Sequence, residues 1–133
     1  MTLDSKLSGE AAAIAYVQLD WLNAVAAANV ERLVAMVTDD IVVVHGNGRC
    51  LHGKDELRED FQRGFEAFSI HQSASPVEVI VRGRWAFDVS EIDTELIPRS
   101  GAEPKLVHST AVTALHQQPD ESWRVARVLG VFD

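Results

Sequence analysis

Near the start of the chain, Ile14, Val17, Trp21, Val25 and Ala28 recur three or four positions apart, a spacing that turns one face of a helix toward a core. Ser8 is placed to cap this helix, with Glu10 favouring its positive end. Asn29 predicts the cap of a second, shorter helix, with Glu31 in its first turn and Leu33, Val34 and Val37 as its buried side, ended by Thr38-Asp39-Asp40. The β-branched run Ile41 to Val44 reads as a strand, and Gly46-Asn47-Gly48 returns the chain antiparallel through Arg49 to His52. Gly53 breaks that hairpin. Leu57, Phe61, Phe65 and Phe68 then fall at i, i+4, i+8 and i+11 and predict a third amphipathic helix, Lys54 to Phe68.

From Ser69 onward helical spacing stops. Apolar residues alternate or run together in Val77 to Val81, Trp85 to Ile97, Leu106 to Leu115 and Trp123 to Phe132, which read as four strands. Short joints rich in Gly, Pro and Asp separate them, so neighbouring strands run antiparallel. Helices first and a meander of strands afterwards indicate an α+β fold, with the helices packed on one face of a curved antiparallel sheet. At 133 residues the chain fits a single domain. The later strands are apolar on both faces: Val107, Ala111 and Leu115 point one way, Leu106, Val112 and Ala114 the other. Helices cover one face in this reading, and a second copy of the chain covers the other, giving a homodimer through the sheet.

Composition narrows the function classes. Hydrophobic residues at 47% and charged residues at 24% are those of a chain able to bury a core. A net charge of −8 repels phosphate backbones and anionic membranes, so nucleic-acid and membrane partners are not expected. No apolar run approaches the length of a membrane span. One cysteine, Cys50, forms no internal disulfide, and the segment Met1 to Ala13 lacks the pattern of a secretion signal, which makes the cytoplasm the expected compartment.

The stretch Asn29-Val30-Glu31-Arg32-Leu33, followed by Thr38-Asp39-Asp40-Ile41-Val42, Gly48 and Leu51-His52-Gly53-Lys54, resembles the NTF2-like superfamily, and within it the SnoaL-like and DUF4440-type proteins. The resemblance runs from Trp21-Leu22-Asn23-Ala24 to Ser122-Trp123-Arg124-Val125. It implies a cystatin-like α+β cone, a curved antiparallel sheet wrapped around a long helix, dimeric through the sheet and with an apolar pocket at its open end. The same cone carries isomerases, cyclases, dehydratases and plain binding modules, so it implies shape rather than chemistry. Ketosteroid isomerase sets an Asp base opposite a Tyr and a protonated Asp. By resemblance, its Tyr position falls on Trp21, its base on His45, and its protonated acid near Val112. The carboxylic acid is absent there, which disfavours that particular isomerisation and leaves other acid–base reactions open.

His45 is the leading catalytic candidate, because alternation along Ile41, Val43 and His45 sets it at the end of an inward row where an imidazole can accept a proton. The plainer alternative is a half-exposed histidine at a strand end. His108 shares a strand face with Thr110 and Val112 and is a second pocket candidate; its alternative is a core histidine bonded to a carbonyl. Trp21, Phe61, Phe65, Trp85 and Phe87 offer an aromatic lining for an apolar ligand, against ordinary core packing. The five histidines have no metal-ligand spacing. His108 and His116 lie roughly 26 Å apart along one strand, and the one geometric option, His45 with His52 and Asp40, is weak. Cys50 with His52 reads as a packed hairpin cysteine rather than a nucleophile and base. Glu91, Asp93 and Glu95 share a strand face and read as the solvated end of an edge strand. No cofactor is called for. Two readings stand: an enzyme of isomerase, cyclase or dehydratase type acting on a small apolar molecule, and a non-catalytic binding or association module.

Overall fold

A computed structural model describes the backbone of residues 2–132 and the side chains of residues 9–130. Three helices, α1 (Thr2–Ala26), α2 (Val30–Ala35) and α3 (Gly53–Ala67), accompany six strands: β1 (Val37–Val44), β2 (Cys50–His52), β3 (Phe68–Arg82), β4 (Trp85–Pro98), β5 (Lys105–Gln117) and β6 (Trp123–Phe132). All six strands join one curved sheet in the order β2-β1-β6-β5-β4-β3. Every neighbouring pair is antiparallel except β1 and β6.

Several boundaries differ from the sequence reading. Helix α1 begins at Thr2, so Ser8 lies inside it rather than at its start; the Ser8 side chain lies outside the described residues. Asn29 does cap α2, its side chain accepting from the Arg32 N–H at 3.1 Å. Thr38-Asp39-Asp40 belongs to β1 instead of ending the helix, because Val37 already pairs with Val125. The polar trio spans the register shift before pairing resumes at Val42 with Arg127. Strand β3 starts at Phe68, directly after α3, and its polar segment Ser69–Pro76 pairs residue by residue with β4. Ladder hydrogen bonds hold a strand that periodicity does not announce. Pro76 sits beside a bulge on this edge strand, where its missing N–H costs little.

The core lies where α1 and α2 meet the sheet: Ile14, Leu33, Val37, Ile41 and Leu115 are fully buried. Burying one such aliphatic side chain is worth about 1.5–3 kcal/mol. Helix α1 packs on β3, at one edge, and on β6, so it bridges the curved sheet and leaves a hollow over the inner faces of β4 and β5. Among the described residues no helix is long and apolar enough to cross a membrane.

Candidate ligand cavity

The hollow has a volume of about 510 Å³. Its roof comes from α1, where Val17, Trp21 and Leu22 face the sheet; its walls are mostly aliphatic, including Ile70, Ile92 and Val128. Polar groups are few: Gln18 from the helix, and Gln72, Thr94, Ser109 and Thr113 from the strands. A mainly apolar cavity with a few placed polar groups is the usual form of a small-molecule site.

Alternation along the strands decides which candidates enter it. On β1, Ile41 and Val43 pack into the core and His45 takes the next inward position, on the cavity wall. The His45 side chain keeps 29% of its surface exposed. Its Nε2 lies 3.7 Å from Asp60 Oδ2 on α3 and 3.5 Å from Arg49 Nη2, while Arg49 also pairs with Asp60. An arginine only donates, so a hydrogen bond from Arg49 requires the ring proton on Nδ1, whereas a ring proton on Nε2 faces the Asp60 carboxylate and leaves the Nδ1 lone pair able to take a proton. Among the described residues Nδ1 has no partner of its own, which leaves it for a ligand.

Trp21 also lines the cavity. Phe61 and Phe65 do not; they stand behind Trp21, with Trp21 edge-on to Phe61 at 5.8 Å and Phe61 stacked on Phe65 at 5.6 Å. Their place is the core, and they fix the indole on the cavity wall. Trp85 and His108 are on the opposite face of the sheet. On β4 the residues Ala86, Asp88, Ser90, Ile92 and Thr94 point inward, so Trp85 points outward and packs on the His116 ring, centroids 4.4 Å apart. His108 pairs across from Asp93, its Nδ1 2.7 Å from Asp93 Oδ1 and its Nε2 3.4 Å from Glu91 Oε1. Strand β4 lies between β3 and β5, so Glu91, Asp93 and Glu95 are on the outer face of an interior strand and not at an edge. Phe87 shares that outer face, and Cys50 is exposed rather than packed. No three His, Cys, Asp or Glu side chains among the described residues come together in metal-binding geometry, His45, His52 and Asp40 included.

One buried acid escapes the sequence reading. Asp88 is only 3% exposed and accepts a hydrogen bond from Ser90 Oγ at 2.6 Å. Burial pushes its carboxyl above the ordinary value, and the Ser90 bond opposes that shift. Its signal was parity: Asp88 alternates oppositely to Glu91, Asp93 and Glu95 and so falls on the inner face.

Solved structures share this architecture. The chain superposes on a conserved protein from Planctomyces limnophilus DSM 3776 with a TM-score of 0.88 at 24% identity, covering 94% of this chain and 98% of that one. A ketosteroid isomerase-like protein from Erwinia carotovora atroseptica SCRI1043 gives 0.82 at 24% identity, covering 91% and 94%. A putative scytalone dehydratase from Novosphingobium aromaticivorans DSM 12444 gives 0.82 at 15% identity, covering 100% and 89%. No curated protein matches. At these identities the likeness is one of fold. The model of the SnoaL-like domain matches residues 19–128, and the chain therefore belongs to the SnoaL-like family of the NTF2-like superfamily.

Proposed function

We propose that this protein binds a small apolar molecule in its cavity and acts on it by acid–base chemistry at His45. The observation that carries the reading is the lining itself: an apolar hollow of about 510 Å³ in which His45 is the one titratable side chain among the described residues. His45 takes a proton from a carbon of the ligand, and the electron pair left behind shifts a double bond with the proton returned at its new end, closes a ring onto an electrophilic carbon of the same molecule, or expels a leaving group. A dehydrochlorinase and a putative dehydratase share the fold and fit that reaction class. The ketosteroid isomerase arrangement does not fit, since Val112 faces outward and its inward neighbours, Ala111 and Thr113, carry no acid.

The test is exchange of acidic C–H protons in D₂O, followed by ligand NMR over a panel of neutral ketones and alcohols that bind. Exchange should depend on the protein and fall roughly 10²- to 10⁴-fold in His45→Ala. Bound ligands that never exchange would favour the second reading, a non-catalytic binding module, which the lone titratable group in the lining also supports. The partner on the sheet's outer face is a second copy of the chain: Trp85, Phe87, Val112 and Leu129 all stand exposed there, between 38% and 44%. The cytoplasm is the compartment proposed.

A further inference from the structure

Three of the cavity's polar groups, Gln72, Thr94 and Ser109, gather at one end, while Thr113, opposite Asp88 on β4, lies away from them toward the His45 side. Gln72 and Thr94 are cross-strand partners on β3 and β4, and Gln72 Nε2 donates to Thr94 Oγ1 at 3.1 Å. Ser109 pairs with Ile92, one inward step along β4 from Thr94. After that internal bond Gln72 still has its carbonyl oxygen and a second amide hydrogen, Thr94 its hydroxyl hydrogen, and Ser109 a whole hydroxyl. None of these groups is charged, and among the described residues no lysine or arginine lines the cavity. This end suits a carbonyl or hydroxyl oxygen and offers an anion donors but no countercharge, in a chain already at −8.

The other end has a bare floor. Val44 pairs with Leu129 in the parallel ladder, so the next residues, His45 and Gly130, stand side by side, and Gly130 pairs with Ala111 on β5. A Cβ at Gly130 would meet nothing nearer than the Val44 carbonyl oxygen, 4.0 Å away, and Gly130 is not among the glycines with positive φ. Neither backbone conformation nor a close neighbour demands glycine there. What it leaves is room in the cavity beside the imidazole. The two ends are far apart: Val107, opposite Thr94, and Ala111, opposite Gly130, are separated by about 13 Å along β5 at about 3.3 Å per residue.

We propose that the ligand is a neutral, elongated molecule whose carbonyl or hydroxyl oxygen meets Gln72 and Thr94, while its far end lies over Gly130 and Ala111 beside His45. The assignment rests on the ligand-binding reading above and deepens it. Gln72 anchors and Gly130 admits; the anchoring oxygen lies at the opposite end of the molecule from the reacting carbon, so the group that acidifies that carbon is a second one, beside His45. An anchor so remote from the base leaves the site selecting ligands by length as well as polarity.

Three probes on one scaffold test this: 4-phenylphenol, biphenyl and biphenyl-4-carboxylate, titrated by calorimetry and tryptophan fluorescence against the wild type, Gln72→Leu and Gly130→Val. In the wild type the phenol should bind about tenfold tighter than biphenyl, the worth of one satisfied hydrogen bond, and the carboxylate more weakly than biphenyl. Gln72→Leu should bring the phenol to the level of biphenyl and leave biphenyl unchanged. Gly130→Val should weaken both neutral probes by about tenfold or more with an unchanged circular dichroism spectrum. Equal binding of phenol and biphenyl, or tightest binding of the carboxylate, in the wild type would overturn the anchor while leaving a ligand-binding cavity in place. Gly130→Val that binds like the wild type would overturn the placement of the far end. If none of the three binds the wild type, the ligand-binding reading falls as well. The wild-type comparison is decisive even if a variant fails to fold.

Discussion

His45 Nε2 faces Asp60 Oδ2 at 3.7 Å across the gap between the end of β1 and α3, and Arg49 lies against both. The hairpin that carries His45 is closed by His45 N–H donating to the Arg49 carbonyl at 2.8 Å, so ring and guanidinium are held on one short piece of backbone. Asp60 ties that piece to the helix. In the proposed reaction its part is to position the imidazole, with the opposite ring nitrogen left toward the ligand.

Asp60→Asn keeps the shape of the side chain and removes the charge that holds Arg49. Proton exchange on a bound ligand should fall roughly 10- to 100-fold, because a small displacement of the base costs rate steeply. Affinity for 4-phenylphenol should not change, since Asp60 does not line the cavity. Rate constants and dissociation constants measured side by side check this; a parallel loss of both would mean that Asp60 merely supports the fold.

Asp88 carries a pH signature. Its folded value is raised above 3.8 by burial, so the fold favours the protonated form. The associated stability is fully present below about pH 3.8 and is lost as pH rises through the folded value. Asp88→Asn can still accept from Ser90 and never ionises, so its stability gain over the wild type should grow from about pH 4 to about pH 7. Urea midpoints at both pH values decide; a gain equal at the two, or larger at the lower, contradicts the assignment.

The outer sheet face makes a separate prediction. Sedimentation at micromolar concentration should give twice the 14.6 kDa chain mass. Val112→Asp places a charge between Val89 and Leu129 in the middle of that face and should return a single-chain mass with the fold intact. A wild type that sediments as one chain would remove the dimer.

Period-two alternation made the inward row Ile41, Val43, His45 legible, because β1 is short and its polar flank is clear. The same device failed for Trp85 and His108. On β4 and β5 both faces carry apolar residues, with Phe87, Val89 and Val112 outside and Ile92, Val107 and Ala111 inside, so the pattern does not say which face the helix covers. Only the register against β6 and the seat of α1 settle it. The aromatic run of α3 was visible as a stripe, but a stripe does not separate a residue that meets a ligand from one packed behind Trp21. Strand β3 was half hidden for a different reason: its Ser69–Pro76 segment is polar, and its place comes from ladder pairing with β4 rather than from burial.

The most direct test is a two-dimensional NMR titration of the labelled protein with 4-phenylphenol, following the side-chain signals of Trp21, Trp85, His45 and His108. A ligand in the cavity should shift the Trp21 indole and the His45 imidazole and leave Trp85 and His108, on the far face of the sheet, in place. Shifts at Trp85 and His108 with Trp21 and His45 unmoved would contradict it.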